Sequence, residues 1–111
     1  MKRLRGLTFS LYRIYNNYVE IEFDPAKREW VLRKRGLDLA NASALLAGEC
    51  LTEADDRFDY REDRWVSVGP LNGEIVVCVW TDQGEEIVRV ITMWKATVRD
   101  QERYFRWREG A

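Results

Sequence analysis

The apolar run EIVVCVWT, residues 74–81, constrains the fold more than any other part of the chain. Its hydrophobic residues do not alternate with polar ones, which is typical of a strand that is buried on both faces. Asn72 and Gly73 precede it, after the apolar run at 65–69, and Asn-Gly between two such runs predicts a tight hairpin. Another strand pattern follows at 86–94. We therefore expect a mostly antiparallel sheet with a C-terminal three-strand meander.

Three helices are expected beside this sheet. Each pattern begins after a residue that caps helices well, and the first two stop at a glycine. The predicted helices are Pro25 to about Arg35, residues 39–47, and Val98 to about Arg108, with Asp24, Asp38 and Thr97 as caps. Short strands are expected at 18–23 and 49–54. Two N-terminal helices, one C-terminal helix and this sheet give the α+β class.

The composition indicates a single globular domain spanning residues 1–111. Of these residues 46% are hydrophobic and 33% charged, which suits one modest core. The basic start MKRLRG is not followed by a long apolar segment, so we expect no secretion signal and no membrane span. Cys50 and Cys78 are too few for a disulfide framework, and free thiols in a reducing cytoplasm are expected.

Histidine is absent from the sequence. This removes the commonest general acid–base, the Cys–His nucleophile pair and most zinc sites. The two cysteines lack a CxxC spacing, so they do not suggest a metal site either. We expect no cofactor and no metal.

Positive charge is concentrated near the N-terminus, although the net charge is −1. Residues 1–35 hold nine basic and four acidic residues, whereas residues 36–63 hold two basic and eight acidic. The predicted helix from Pro25 carries five of these basic residues and has no single apolar stripe. Such a helix either contacts a partner or is held from several sides; the alternative is an ordinary solvated face.

Arg89 is the candidate phosphate ligand with the most specific sequence context. Strict alternation in IVRVITM predicts a common face for Ile87, Arg89, Ile91 and Met93. A guanidinium held among aliphatic side chains suits a phosphate. The alternative is an edge arginine that reaches solvent or pairs with a structural carboxylate.

Two further patterns combine charges in a way that suits RNA chemistry. Glu62 and Arg64 are two residues apart before a strand, so they can serve as a base and a phosphate clamp, or form an ordinary surface ion pair. Arg99, Arg103 and Arg106 form one stripe on the last helix. A basic stripe can follow a phosphate backbone, and it is equally typical of a solvated helix face.

Together these segments resemble the BrnT family, the ribonuclease toxins of bacterial toxin–antitoxin modules, whose fold is similar to that of RelE toxins. The resemblance covers about Val19 to Tyr104. It rests on the order of short motifs: FDPAK, RKRG, LDLANA, FDYREDRW, VVCVWT, RVITMWKA and ERYF. Residues 1–18 lie outside it, as an extension in which TFSLYRIY, residues 8–15, favours an added strand followed by a turn at Asn16-Asn17.

The resemblance implies an endoribonuclease that inhibits translation and is neutralised by a cognate ribbon-helix-helix antitoxin, similar to BrnA. Operator DNA would be bound only through that antitoxin. The family's charged motif positions fall on Lys27, Lys34, Glu62, Arg64, Arg89 and Lys95.

A metal-free cleavage would use these residues in distinct roles. Glu62 is the candidate base, and cations would stabilise the charge that grows on the phosphate or assist the leaving group. The candidate catalytic cations are Arg64, Arg89, Arg35, Lys34 and Lys95. The candidate RNA-binding residues are Lys27, Arg28, Arg99 and Arg103.

Some positions depart from the family's usual pattern. Arg35 stands where the family often has His, Val31 where Asn is frequent, and Trp94 where a second strand Arg is common. These departures favour an alternative: a weakened or inactive binding module that only pairs with an antitoxin or nucleic acid. A small structural or adaptor domain is a third interpretation.

Overall fold

The structure is a computed structural model, and it describes residues 19–57, 62–82 and 87–110. The strands are β1 (Ile21–Phe23), β2 (Leu51–Ala54), β3 (Trp65–Leu71), β4 (Glu74–Asp82) and β5 (Val88–Lys95). The helices are α1 (Pro25–Arg35), α2 (Ala42–Ala47) and α3 (Val98–Arg108), with a 3-10 turn at Leu39–Asn41. The expected strand at 8–15 and turn at Asn16-Asn17 lie outside the described residues.

The strands form one five-stranded sheet in the order β1-β5-β4-β3-β2. Strands β2 to β5 pair in antiparallel fashion, and β1 pairs with β5 in parallel. Strand β4 lies in the middle, and its residues from Val76 to Val79 are at most 1% exposed. The prediction of a central strand buried on both faces is confirmed, as is the α+β class.

The β3–β4 hairpin turns at Asn72 and Gly73, as the Asn-Gly pair predicts. Both residues have positive φ, 52° and 84°, which a type I′ turn requires at its two central positions. Pairing extends up to this turn, with Leu71 opposite Glu74. Strand β3 is therefore two residues longer than its predicted end at Gly69.

Helices cover both faces of the sheet. Helices α1 and α2 pack over one core, whose members include Val31, Leu39, Leu45, Cys78, Val90 and Met93. Helix α3 packs over the other through Tyr104, which contacts Val68 and Val77. The Tyr104 hydroxyl donates a hydrogen bond of 3.0 Å to the Glu49 carbonyl. None of the helices in the described segments has the length and hydrophobicity needed to span a bilayer.

The caps of α1 follow the sequence signals. The Asp24 carboxylate accepts a hydrogen bond from the Ala26 N–H at 3.0 Å, and Gly36 ends the helix with φ 71°. Only Val31 is buried along this helix. The absence of a broad apolar stripe therefore corresponds to a helix that touches the sheet along a narrow line.

The second predicted helix is wrong in its first turn. Asp38 caps a 3-10 turn through the Ala40 N–H, and the α-helix begins only at Ala42. The Asn41 N–H bonds the Asp38 carbonyl three residues back, which is the tighter 3-10 pattern. The apolar residues expected to face the core are nevertheless buried: Leu39, Ala42, Leu45 and Leu46.

The acidic segment 55–63, which separates the predicted strands at 49–54 and 65–69, is not uniformly exposed. Asp55 is buried, and its carboxylate accepts hydrogen bonds from the Arg57 guanidinium at 2.8 and 2.9 Å. Its N–H also donates to the Arg64 carbonyl, which continues the β2–β3 pairing by one residue. The other described residues of this segment, Asp56, Arg57, Glu62 and Asp63, are exposed.

Candidate functional site

A β-bulge in β5 overturns the expected strand alternation. Val79 pairs with Thr92, but the next residue of β4, Trp80, pairs with Val90, so Ile91 has no partner. An extra residue switches the side chains beyond it to the other face. Met93 therefore points into the α1/α2 core, opposite Cys78, and does not share a face with Arg89.

The same bulge puts Thr92 on the face of Arg89. Their partners on β4 are Val79 and Thr81, two residues apart, which places the two positions about 7 Å apart along the strand. The Arg35 guanidinium of α1 reaches this spot, donating from Nη1 to Thr92 Oγ1 at 3.0 Å and to the Met93 carbonyl at 2.7 Å. The guanidinium of Arg35 is thus bonded to β5 about 7 Å along the strand from the position of Arg89.

Arg89 is held by one edge of its guanidinium. Its Nε donates to Glu22 Oε2 at 2.9 Å across the parallel β1–β5 pair. Within the described part of the chain, no acceptor bonds its two Nη groups. Both side chains are about two-fifths exposed, so the ion pair adds little stability. It fixes the guanidinium while leaving the Nη groups available for a second anion.

Helix α1 begins beside Arg89. A shallow cleft of about 250 Å³ is lined by Asp24, Lys27, Arg89, Val90 and Ile91. Lys27 and Arg89 thus border one space, with Asp24 and the bulged Ile91 as parts of its wall. Two cations around a small cleft form a suitable site for a phosphate group.

Trp30 lies between the cations of α1. It is 38% exposed. The Lys27 Nζ lies 5.3 Å and the Arg35 Cζ 4.9 Å from the ring centroid, both within cation–π range. We call Lys27, Trp30, Arg35, Arg89 and Thr92 the edge patch.

Glu62 and Arg64 adjoin the same face of the sheet. Arg64 immediately precedes Trp65 of β3, and Trp65 pairs with Trp80 of β4. The next residue of β4, Thr81, pairs with Arg89. Thr81 is buried, and its hydroxyl donates to the Asp63 carbonyl at 2.8 Å, which ties the segment to β4. Two strand spacings separate Arg64 from Arg89, about 10 Å. Glu62 Oε2 is 3.4 Å from Arg64 Nε.

Other predicted site residues lie apart from this patch. Lys95 pairs with Val76, so it is about 17 Å along the strand from Arg89, and its ammonium is 3.4 Å from Glu74. Lys34 is exposed beside Arg35, one to two turns along α1 from Lys27 at about 10 Å. The predicted grouping of Lys95 with the other catalytic cations does not fit this geometry.

Arg28 is occupied by a carboxylate. Its Nε and Nη2 donate to the two oxygens of Asp38 at 2.7 and 2.8 Å. The hydrogen bond from Arg28 is the largest cause that lowers the pKa of Asp38, and it likewise raises the pKa of Arg28. This bidentate pair joins α1 to the 3-10 turn.

The predicted RNA-binding residues of α3 lie on the opposite side of the molecule from the core of α1. Arg99 is exposed, and Arg103 pairs with Glu53 of the edge strand β2 and lies 4.0 Å from Asp100. Arg108 lies 3.6 Å from Glu49. Of the stripe's three members, Arg103 thus has carboxylate neighbours, whereas Arg99 and Arg106 form no ion pair with another described residue.

Sequence reasoning missed two members of the patch and one partner, Trp30, Thr92 and Glu22. Trp30 lies on a predicted helix without a single apolar stripe and Thr92 on a predicted strand, so neither residue was a candidate. The signal that could have drawn attention to Trp30 is its place three residues after Lys27 on one helix, where side chains meet. Thr92 could not be placed without the bulge.

Within the described segments, the Cys, Asp and Glu residues form no group of three that could hold a metal ion. Cys78 is fully buried, which raises the pKa of its thiol. Cys50 is half-buried, and the two cysteines are not joined by a disulfide.

Comparisons with known proteins agree with this architecture. Comparison with curated proteins gives no significant match. The crystal structure of the Brucella abortus ribonuclease toxin, BrnT, matches with a TM-score of 0.53 and 28% identity, covering 71% of this chain and 97% of that one. The model of the family described as "Ribonuclease toxin, BrnT, of type II toxin-antitoxin system" matches residues 23–100. The chain is therefore a member of the BrnT family of ribonuclease toxins.

Proposed function

We propose that this chain is an endoribonuclease toxin that cleaves RNA without a metal and thereby inhibits translation. The observation that carries the proposal is the position of Lys27 and Arg89 at one cleft, with Arg35 bonded to Thr92 about 7 Å along β5 from Arg89. Two cations at the cleft and a third nearby can bind a phosphodiester and stabilise added negative charge on it.

The reaction is an attack of a ribose 2′-hydroxyl on its own 3′-phosphate. A bond forms between the 2′-oxygen and phosphorus, and the bond from phosphorus to the 5′-oxygen of the next nucleotide breaks. The hydroxyl loses a proton to a base, and the leaving oxygen gains one. The products are a 2′,3′-cyclic phosphate and a 5′-hydroxyl end.

Glu62 is our candidate for the base, since it is an exposed carboxylate on the segment that Thr81 ties to the sheet. Arg64 and Arg89 would hold the phosphate oxygens. Lys34, beside Arg35 and exposed, would supply or relay the proton for the leaving oxygen. Lys95 has no part in this scheme.

Arg35 would act through its charge alone. A guanidinium stays protonated at every relevant pH, so it cannot exchange a proton as histidine does. Its hydrogen bonds to Thr92 and Met93 orient it, and its further N–H groups can face the phosphate. The proton transfers therefore fall to the carboxylate and the lysine.

A cognate antitoxin would keep this activity in check in the cytoplasm. We propose a ribbon-helix-helix protein similar to BrnA, which would cover part of the edge patch and bind operator DNA on behalf of the complex. Membership in a type II toxin–antitoxin family supports such a partner.

Induced expression and cleavage in vitro test the proposal together. The chain should arrest growth, coexpression of the adjacent antitoxin gene should relieve the arrest, and purified protein should cut RNA in EDTA. Cleaved ends should carry a 2′,3′-cyclic phosphate, and Glu62→Gln should reduce the rate about 10²–10⁴-fold. Cleavage that EDTA abolishes, or ends with a 5′-phosphate, would contradict the mechanism.

One observation favours a second candidate, a binding module without catalysis. Trp94 packs against the α3 core and lies under Arg57, 5.5 Å from ring centroid to guanidinium, so this position supplies no cation. Such a chain would bind the antitoxin but neither arrest growth nor cut RNA. The same expression experiment separates the two candidates.

A further inference from the structure

We propose that Trp30 is a stacking platform for one nucleobase of the RNA, beside the phosphate cleft. The inference rests on the proposed RNA-binding function and identifies which residue of α1 contacts a base. Its basis is the exposed indole, the two cations beside it and their different anchoring.

The two cations differ in how firmly they are held. Arg35 is fixed by Thr92 Oγ1 and the Met93 carbonyl while its guanidinium lies 4.9 Å from the Trp30 ring centroid. Lys27 has no carboxylate within 4 Å in the described segments, and its ammonium approaches only the ring, at 5.3 Å. Lys27 is therefore the cation that can leave the indole.

A phosphate gives Lys27 a better partner than the ring. Its side chain already borders the cleft that Arg89 lines, and a charge-assisted bond to phosphate is stronger than an exposed cation–π contact. When Lys27 turns to the phosphate, the indole face that it covered becomes free for a base. One nucleotide can reach both the cleft and the ring, because Lys27 lines the cleft and its Nζ lies 5.3 Å from the ring centroid.

Stacking on an aromatic side chain suits single-stranded RNA. Every base has a π-face, so the contact gives affinity with little sequence preference. The exposed Trp30, with 38% of its surface free, contributes little to the core, whose α1 member is Val31. The indole thus has a surface that packing within the described chain does not use.

The test uses a fully 2′-O-methylated oligoribonucleotide, which cannot be cleaved by 2′-hydroxyl attack, so binding is measured whether or not the chain is a nuclease. Trp30→Ala should weaken binding about tenfold, the effect of losing one stacked base. Trp30→Phe should retain most of the affinity. Leu32→Ala, which removes another exposed apolar side chain of α1, should bind as the unchanged protein does.

A single abasic nucleotide moved along the oligonucleotide sharpens the test. At one position the missing base should weaken binding by the unchanged protein about tenfold and leave Trp30→Ala unaffected. An equal loss in both proteins at every position, or normal binding by a folded Trp30→Ala, would overturn the proposal. If the protein binds with this pattern but cuts no RNA, the platform stands and the nuclease proposal fails.

Discussion

The edge patch and helix α3 carry similar numbers of basic residues, yet these residues have different kinds of bonding partner. On α3, Arg103 and Arg108 have carboxylates of β2 and the preceding turn as neighbours, Glu53 and Glu49, whereas the helix's other two arginines form no ion pair with a described residue. In the edge patch, Arg35 bonds uncharged oxygens, and Lys27 faces an indole. Positive charge that a protein's own carboxylates do not neutralise is the charge that remains for a phosphate.

The comparison also separates residues that are neighbours in sequence. Lys27 lines the cleft with Arg89, whereas Arg28 is bound by both oxygens of Asp38. Arg89 is intermediate, since Glu22 occupies one edge of its guanidinium. Three pairs of variants therefore test how basic residues with and without a carboxylate partner differ.

The largest effect is expected for Arg89→Ala against Arg103→Ala. Loss of a cation that stabilises the transition state should lower the RNA cleavage rate about 10²–10³-fold. Arg103→Ala should leave the rate unchanged and lower the free energy of unfolding by less than about 1 kcal/mol, as for an exposed ion pair. Single-turnover cleavage and thermal unfolding measure the two quantities. Equal losses of activity would remove the distinction between the regions.

A smaller effect is expected for charge reversal at Lys27 and at Arg99. Each lysine contact to a phosphate of single-stranded RNA adds about 0.7 to the slope of log affinity against log salt concentration. Lys27→Glu should reduce the slope by at least this amount, whereas Arg99→Glu, on exposed α3, should not change it. Salt-titrated binding of the methylated oligonucleotide gives both slopes. A change of the slope for Arg99→Glu alone would mean that the RNA contacts α3 and not α1.

The smallest effect is a pH-dependent one at Arg28. Because Arg28 lowers the pKa of Asp38, the pair stabilises the fold above the usual aspartate pKa of about 3.9 and loses this contribution as pH falls through the lowered value. Arg28→Ala should therefore unfold at a lower temperature than the unchanged protein at pH 7, and the difference should shrink below about pH 4.

The matched control is Arg33→Ala, since Arg33 has only a 3.7 Å contact with the exposed Glu29. Its unfolding temperature should differ little from that of the unchanged protein across the same pH range. A difference for Arg28→Ala that persists undiminished at pH 3 would mean that Arg28 acts through packing on Phe23, whose ring it covers at 5.8 Å.

Local signals predicted the parts of the fold that depend on local chemistry. The Asn72-Gly73 turn, the caps of α1 and the capping box at Thr97 all lie where the sequence indicates, because each rests on residues a few positions apart. The central position of β4 followed from its unbroken apolar run. The family was recognised from the order of such segments.

What sequence reasoning could not supply is the pairing between distant segments. The bulge at Ile91 depends on how β5 pairs with β4, and no residue of the segment IVRVITM indicates a bulge by itself. The burial of Asp55 depends on its bonds with Arg57 and Arg64. For the same reason the sequence named Arg35 and Arg89 as candidates without showing that Thr92 lies between them.

The bulge at Ile91 sets the direction of two side chains, the core residue Met93 and the Arg35 partner Thr92. Were Ile91 paired and β5 regular, alternation would turn Met93 to the opposite face and Thr92 towards the α1/α2 core, so the protein would lose a buried side chain and the oxygen that receives Arg35 at once. Deletion of Ile91 would instead keep Val90, Thr92 and Met93 on their present faces. The irregular pairing is thus the feature that lets a single strand supply both a core methionine and an oxygen for Arg35.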